Sequence, residues 1–156
     1  MAGVFPAPAS GQIDAGVHRL AVRVYFEDTD LSGIVYHANY LRFMERGRSD
    51  LLRVLGIAQR AAFEAGEGVY AVADLQIRYV RPARLEDDLV VETRCLSIGG
   101  ASVTMDQRIL RGGELRQGAG FPVQQQEVVM LVRVQRLGEE EAAAIRGHVA
   151  DQVVVL

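Results

Sequence analysis

The sequence predicts an α+β fold in which one antiparallel sheet of five strands wraps around a single long central helix. Five segments have the apolar pattern of strands, either alternating with polar residues or nearly continuous. One segment repeats apolar residues with helical spacing, and most of the strand segments follow one another through short turns. Because short turns join antiparallel neighbours, the helix is expected to bury its apolar side against one face of that sheet.

The first strand and the helix come first in the predicted domain. Residues 19–27 alternate large apolar side chains with mainly charged ones, which is the pattern of a strand. After a loop around Ser32 and Gly33, apolar or small residues recur in steps of three and four, at Tyr40, Met44, Gly47, Leu51 and Leu55. This spacing predicts a helix of about eighteen residues, and Gly56 is expected to end it in a left-handed conformation.

Four further strands are predicted after the helix, at residues 69–80, 89–98, 101–110 and 127–136. Gly99 and Gly100 fit a two-residue hairpin turn between the second and third of these strands. The connection at 111–126 is longer and contains Pro122, which cannot donate a hydrogen bond to a neighbouring strand. A short helix with acidic residues in its first turn is predicted at 138–147.

Length and composition set the domain boundaries. A chain of 156 residues is large enough for one domain with its own hydrophobic core. Ala, Gly and Pro dominate the beginning of the chain, so residues 1–17 are expected to form a flexible tail. The folded domain is then expected at 18–137, followed by a C-terminal helix and tail at 138–156.

Composition also excludes several classes of function. The formal net charge is −3 and the 17 basic residues, all of them arginine, form no cluster, which argues against a nucleic-acid partner. Cys95 is the only cysteine, so neither a disulfide framework nor a thiolate metal cluster is expected. No apolar run approaches the roughly 20 residues of a membrane span, and the first residues lack the features of a signal peptide. We therefore expect a cytoplasmic protein. The three histidines match no metal-ligand spacing, and no cofactor is expected.

The junction between the first strand and the helix concentrates polar residues that carry chemistry. Asp28, Asp30 and His37 lie within ten positions of one another, just before the predicted helix. The first N–H groups of a helix have no partner inside it, and the helix dipole favours negative charge at that end. This arrangement suits a bound anion or an oxyanion that develops during a reaction.

The same stretch resembles the signature of hotdog-fold acyl-CoA thioesterases of the 4-hydroxybenzoyl-CoA thioesterase group, most closely the bacterial Tol–Pal-associated (YbgC-type) branch. The matching residues are Tyr25, Glu27, Asp28, Thr29, Asp30, Gly33, Val35, Tyr36, His37, Tyr40, Glu45 and Arg46. The order of elements also agrees with this branch over about residues 20–136. The resemblance implies the hotdog fold, in which the sheet curls around the helix. The connection at 111–126 and the N-terminal segment depart from the pattern of the branch.

The resemblance implies roles for the residues of this stretch. Asp30 corresponds to the catalytic carboxylate and His37 to the histidine beside it at the helix start. Asp30 is expected to attack the thioester carbonyl or to act as general base toward water. The tyrosines and small residues around them are expected to contact the substrate: Tyr25, Gly33, Val35, Tyr36 and Tyr40. Arginines are expected to bind the phosphates of coenzyme A, and the candidates are Arg78, Arg81 and Arg84.

Each of these assignments has a structural alternative. Asp30 alone is also a common turn residue next to Gly33, and Asp28 is interpreted as structural. His37 is also read as a helix cap or a core histidine, and the tyrosines as core or pocket-wall residues. The arginines are also ordinary charges of a solvated face. The sequence Asp28-Thr29-Asp30 resembles a metal-binding D-x-D motif, but no nucleotide-sugar fold pattern surrounds it.

At the level of function, hydrolysis of an acyl-CoA thioester is the leading hypothesis. A hotdog enoyl-CoA hydratase is a second hypothesis, although its aspartate and histidine are expected at tighter spacing than in this chain. A non-catalytic module that binds acyl-CoA or acyl-carrier groups is a third. Acyl-CoA is the expected substrate, acyl carrier protein is an alternative carrier of the acyl group, and the sequence does not decide between the two. The resemblance further implies a homo-oligomer, either a dimer or a dimer of dimers forming a homotetramer.

Overall fold

The computed structural model describes residues 6–66, 71–99, 102–111 and 128–135, and for the last range only the backbone is described. A short 3₁₀ turn at Phe26–Asp28 precedes the long helix. The other elements are β1 (Gln12–Asp14), β2 (Val17–Arg23), α1 (Asn39–Val54), α2 (Gln59–Glu64), β3 (Ala71–Tyr79), β4 (Asp88–Ile98), β5 (Ser102–Arg111) and β6 (Val128–Gln135). The predicted segments at 112–126 and 138–147 lie outside the described residues.

One antiparallel sheet with the strand order β1-β2-β4-β5-β6-β3 forms the framework of the fold. Helix α1 packs across β2 and β4 on one face of this sheet, which confirms the predicted hotdog architecture. The sheet has six strands in the described residues rather than five. The additional strand, β1, comes from the segment predicted to be a flexible tail. It pairs with β2 through a tight turn in which Ala15 and Gly16 both have positive φ angles of 47° and 71°.

Helix α1 begins at Asn39 and ends at Val54, close to the length that the spacing predicts. Gly56 follows with a φ angle of +80°, so the predicted left-handed end of the helix is confirmed. The apolar side of the helix enters the main core, which contains Val24, Val35, Tyr40, Phe43, Met44, Ala83, Leu89, Val91 and Ile109. Burial of this apolar side supplies most of the stability of the helix in the fold.

A buried polar network also joins α1 to the sheet. Gln107, on β5, is fully buried and its side-chain amide donates to the Met44 carbonyl and to the Thr93 hydroxyl at 3.0 and 2.9 Å. The Gln107 carbonyl accepts a hydrogen bond of 2.7 Å from Arg48, which is itself paired with Glu45. Because every member has a partner, the network fixes where the helix lies on the sheet.

Strand β3 lies at the edge of the sheet opposite β1, and nearly all of its residues are exposed on both faces. Its exposed apolar side chains are Val72, Leu75 and Tyr79, each 44% exposed. A long edge strand with apolar side chains invites pairing with another chain.

Within the described residues, no helix is long and apolar enough to cross a membrane.

Candidate active site

Asp28 organises the loop that leads from β2 to α1. Its buried carboxylate accepts a hydrogen bond of 2.8 Å from the Tyr25 N–H, and its carbonyl oxygen accepts bonds of 2.9 Å from the Tyr36 N–H and from the Asn39 side chain. These bonds close the loop back onto the start of the helix. The structural interpretation of Asp28 therefore agrees with its contacts.

The same loop is attached to the segment that follows β3. The Val35 N–H donates to the Ala83 carbonyl at 2.8 Å, and Ile34 forms a β-bridge with Arg84. Gly33 has a φ angle of +74° and its N–H donates to the Asp30 carbonyl at 3.0 Å, which makes the tight turn at the tip. These contacts bring residues that are about fifty positions apart to one end of α1.

Asp30 lies exposed on this turn, with its carboxylate oriented by Ser32. Oδ1 accepts a hydrogen bond of 2.8 Å from the Ser32 N–H and a second, short one from the Ser32 hydroxyl. The hydroxyl bond, followed by the backbone bond, holds the pKa of Asp30 below its ordinary value, and the nearby His37 lowers it further. Asp30 is therefore ionised at neutral pH, as both a nucleophile and a general base require.

The start of α1 provides backbone donors beside Asp30. The Asn39 N–H donates a hydrogen bond of 2.8 Å to the Tyr36 carbonyl, whereas the N–H groups of His37 and Ala38 have no acceptor in the described part of the chain. Ala38 is the N-cap residue and provides no side-chain cap. Free N–H groups at the positive end of a helix dipole are a typical oxyanion site.

His37 is exposed at the helix start and is held by two tyrosines. Its ring lies 4.4 Å from the ring of Tyr36 and 6.3 Å, edge to face, from the ring of Tyr79. The Tyr79 hydroxyl donates to the His37 carbonyl at 3.0 Å. Tyr79 was not among the residues predicted from the sequence, because only the fold brings β3 to the start of α1. Ser32 was predicted only as a turn residue.

The structure divides the other predicted contact residues into two groups. Tyr25, Gly33 and Tyr36 are exposed around the turn and are accessible to a ligand. Val35 and Tyr40 are each only 3% exposed and belong to the core. The Tyr40 hydroxyl accepts a hydrogen bond of 2.8 Å from the Ala83 N–H, so Tyr40 holds the segment after β3 from within the core instead of facing a ligand. The prediction that Tyr40 and Val35 contact the substrate directly therefore does not agree with their burial.

The three arginines that were predicted to bind phosphate do not all lie on the same side of the sheet. Arg78 and Tyr79 are neighbours on β3, so their side chains point to opposite faces of the sheet, and Arg78 lies on the face away from His37. Arg81 and Arg84 are exposed in the segment after β3, where the Arg84 backbone pairs with Ile34 of the Asp30 loop. Of the three arginines, Arg84 is the one with a recorded backbone contact to the Asp30 loop among the described residues.

A groove of about 520 Å³ lies between α1 and β3. Its lining residues are Leu41, Arg42, Glu45, Arg46, Arg48, Val72 and Leu75. Leu41 comes one helical turn after His37, and Leu75 lies on the same face of β3 as Tyr79. The groove therefore extends away from the candidate active site. No cluster of three or more potential metal ligands occurs among the residues that the structure describes.

Comparison with known proteins decides the family. The model of the Thioesterase superfamily matches residues 32–116, which is more than half of the chain. The chain belongs to the Thioesterase superfamily. The match includes the start of helix α1 with His37 and Ala38 and strand β3, which lines the groove, and it begins two residues after Asp30.

Individual members of the superfamily show the same relationship. The acyl-CoA thioesterase YbgC of Haemophilus influenzae is 44% identical over 90 residues, which are 58% of this chain and 66% of that protein. The solved structure of a probable thioesterase from Bartonella henselae is 36% identical, has a TM-score of 0.66 and covers 80% of this chain and 94% of that one. A 1,4-dihydroxy-2-naphthoyl-CoA thioesterase from Synechocystis, at 16% identity, has a TM-score of 0.70 over 87% of this chain and 97% of its own, which shows a shared fold.

Proposed function

We propose that this protein hydrolyses acyl-CoA thioesters to a free carboxylic acid and coenzyme A. The single observation that carries the proposal is an exposed, ionised Asp30 near a helix start where the N–H groups of His37 and Ala38 have no acceptor among the described residues. Membership of the Thioesterase superfamily and the similarity to the acyl-CoA thioesterase YbgC support the same reaction.

In the proposed mechanism, the N–H groups at the helix start stabilise the negative charge of the oxyanion, and Asp30 acts as the base or the nucleophile. The thioester carbonyl oxygen binds at the N–H groups of His37 and Ala38, which stabilise its negative charge as the tetrahedral intermediate forms. In one route Asp30 removes a proton from water, and the water oxygen forms the bond to the carbonyl carbon. In the other, an Asp30 oxygen forms that bond directly and water later cleaves the mixed anhydride. In both routes the C–S bond breaks and the thiolate of coenzyme A leaves and is protonated.

His37 has a supporting role in either route. Its ring contacts the ring of Tyr36, its backbone carbonyl accepts a hydrogen bond from Tyr79, and it is close enough to Asp30 to lower the pKa of the carboxyl group. We propose that His37 orients the carboxylate and the bound thioester.

Substrate binding is proposed for the surfaces around the site. Arg81 and Arg84 are the proposed contacts for the phosphates of coenzyme A, and acyl carrier protein is a second proposed donor of the acyl group. The groove between α1 and β3 is proposed to hold the acyl group, because its Leu41, Val72 and Leu75 give it an apolar wall. We propose that the protein acts in the cytoplasm, where these thioesters are available.

We further propose that the protein forms a dimer through β3, and that two dimers combine as a homotetramer. Among the described strands β3 has a neighbour on one side only, and this edge position and the exposed apolar side chains of β3 support the proposal. Leu75→Asp places a charge on a side chain that is already 44% exposed, so the single chain should fold normally. Light scattering after size exclusion should show an oligomer for the wild type and a smaller species for this variant. A monomeric wild type would contradict the proposal.

The test of activity is thiol release from a panel of acyl-CoAs, from acetyl to palmitoyl and including benzoyl types. Asp30→Asn keeps the shape of the side chain but removes its charge, and we expect kcat to fall by about 100-fold or more. Glu27→Gln is the matched control, because Glu27 is an exposed carboxylate of the same loop, and its kcat should equal that of the wild type.

The products separate the proposal from its alternatives. Equal rates for the wild type and Asp30→Asn would show that Asp30 is not the catalytic group. A hydroxyacyl-CoA product from enoyl-CoA, without free thiol, would indicate a hydratase. Tight binding of acyl-CoA without any turnover would indicate a binding module.

A further inference from the structure

The two carboxylate oxygens of Asp30 have different surroundings. Oδ1 accepts both hydrogen bonds from Ser32, one from its N–H and one from its hydroxyl. Oδ2 has no hydrogen-bond donor among the described residues. The terminal torsion of an aspartate is soft, so an unrestrained exposed carboxylate would rotate and present either oxygen. The Ser32 contacts remove this freedom.

We propose that the Ser32 hydroxyl is a positioning group for catalysis, which holds Oδ1 of Asp30 and leaves Oδ2 as the oxygen that reacts. This inference rests on the proposed function of Asp30. Oδ1 accepts two hydrogen bonds and is therefore a weaker base and nucleophile than Oδ2. The lone pairs of Oδ2 are available to accept a proton from water or to attack the thioester carbonyl. Ser32 does not itself contact the reacting atoms in this scheme.

The proposal concerns the side-chain hydroxyl of Ser32 and not its backbone N–H. Any residue except proline provides the backbone N–H at position 32, but only serine or threonine adds a hydroxyl that reaches the same oxygen. The turn is maintained separately, by the bond from the Gly33 N–H to the Asp30 carbonyl and by the bond from the Asp30 N–H to the Ile34 carbonyl. Ser32 is exposed, so Ser32→Ala creates no cavity and should leave the fold unchanged.

The hydroxyl also affects the charge of the carboxylate. A hydrogen bond to the ionised form favours that form, and the Ser32 hydroxyl is the largest cause of the lowered pKa of Asp30. Its removal should raise this pKa toward the ordinary value of an aspartate. The acid limb of the pH profile of kcat/KM reports the free enzyme, so it should move to higher pH in Ser32→Ala.

The experiment compares Ser32→Ala with Ser32→Thr and Thr29→Ala in steady-state hydrolysis of the best acyl-CoA across pH. We expect about a tenfold lower kcat for Ser32→Ala, because a misdirected catalytic group loses much of its effectiveness. Ser32→Thr should restore both the rate and the acid limb. Thr29→Ala removes a hydroxyl of the same loop that donates to the Phe26 carbonyl and not to Asp30, so its profile should match the wild type.

A second measurement does not depend on turnover. Titration of the Asp30 carboxyl carbon by NMR should give a higher pKa in Ser32→Ala than in the wild type and in Thr29→Ala. The inference is overturned if this pKa does not change, or if Ser32→Ala and Thr29→Ala lose activity equally with no shift of the acid limb. If the wild type hydrolyses no acyl-CoA, the proposed function fails, and the titration still decides whether Ser32 controls the charge of Asp30.

Discussion

The Tyr79 hydroxyl donates a 3.0 Å hydrogen bond to the carbonyl oxygen of His37, and this bond joins the edge strand β3 to the start of helix α1. The two residues are 42 positions apart in the chain. Edge strand and helix start are therefore mechanically connected at the candidate active site.

Tyr79→Phe removes this hydrogen bond and keeps the ring. We expect a loss of about 1 kcal/mol or less in the free energy of unfolding, since the bond is exposed to water. We expect kcat/KM to fall by up to about tenfold as the helix start loses its support. Tyr79→Leu also removes the ring contacts with His37 and Tyr40 and should have a larger effect on kcat/KM. Equal kinetics of Tyr79→Leu and the wild type would contradict a role for Tyr79.

Asp50 fastens the N-terminal hairpin to α1, and this contact should make stability depend on pH. Its Oδ2 accepts bonds of 2.7 Å from the Gly11 N–H and 2.9 Å from Nε2–H of the fully buried His18. Burial raises the pKa of Asp50, but these hydrogen bonds outweigh burial and the net pKa lies below its ordinary value. A lowered pKa in the folded state means that the stabilisation is present above the unfolded pKa and is lost as the pH falls through the folded one.

We therefore expect Asp50→Asn to lower the free energy of unfolding by about 1–3 kcal/mol at pH 7. The difference from the wild type should start to shrink as the pH falls below about 4, the ordinary pKa of an aspartate in the unfolded chain, and should be lost below the lower pKa that Asp50 has in the folded protein. Asp14→Asn is the control, because Asp14 is exposed and pairs only loosely with Arg19 at 3.7 Å. Urea unfolding at several pH values measures both variants, and a difference that stays constant down to pH 2 would count against the assignment.

Gly47 allows α1 to approach the sheet closely. A Cβ atom at this position would lie 2.8 Å from Cγ1 of Val91 and 3.2 Å from the Thr93 hydroxyl. Alanine has the higher helix propensity by about 1 kcal/mol, but overpacking in a rigid core costs about 1–3 kcal/mol. We expect Gly47→Ala to lower Tm. Ser49→Ala, on the outer side of the same helix, should be neutral or slightly stabilising, and a stabilised Gly47→Ala would show that the helix can shift freely.

The buried side chain of Gln107 should contribute to the free energy of unfolding through its hydrogen bonds. Gln107→Leu leaves the Met44 carbonyl without this donor and Arg48 without this acceptor in the core. We expect a loss of roughly 2–3 kcal/mol in the free energy of unfolding, because unpaired buried polar groups keep their desolvation cost. Gln12→Leu on the exposed strand β1 is the control and should change the stability by about 0.5 kcal/mol or less. Chemical denaturation of both variants tests this difference.

The two parts of the site were predictable to different degrees. Asp30 and His37 lie in one short stretch whose pattern resembles a known signature, so the sequence alone indicated them as candidates. Ser32 lies in the same stretch, but a serine beside a glycine is typical of any turn, and its contact with Asp30 depends on the torsions of that turn. Tyr79 gave no signal beyond strand patterning, since its distance from His37 is set by how β3 returns to the helix.

Apart from β1, the sequence by itself determined the kinds and order of the long helix and of the strands in the described residues, because the periods of two and 3.6 and the position of Gly56 reflect local backbone chemistry that needs no distant partner. It also indicated the family through one continuous stretch. Only the tertiary structure decided the strand order, the pairing of β1, the burial of Tyr40 and the position of Arg78 on the face away from His37. These features depend on contacts between residues far apart in the chain, which a local pattern does not encode.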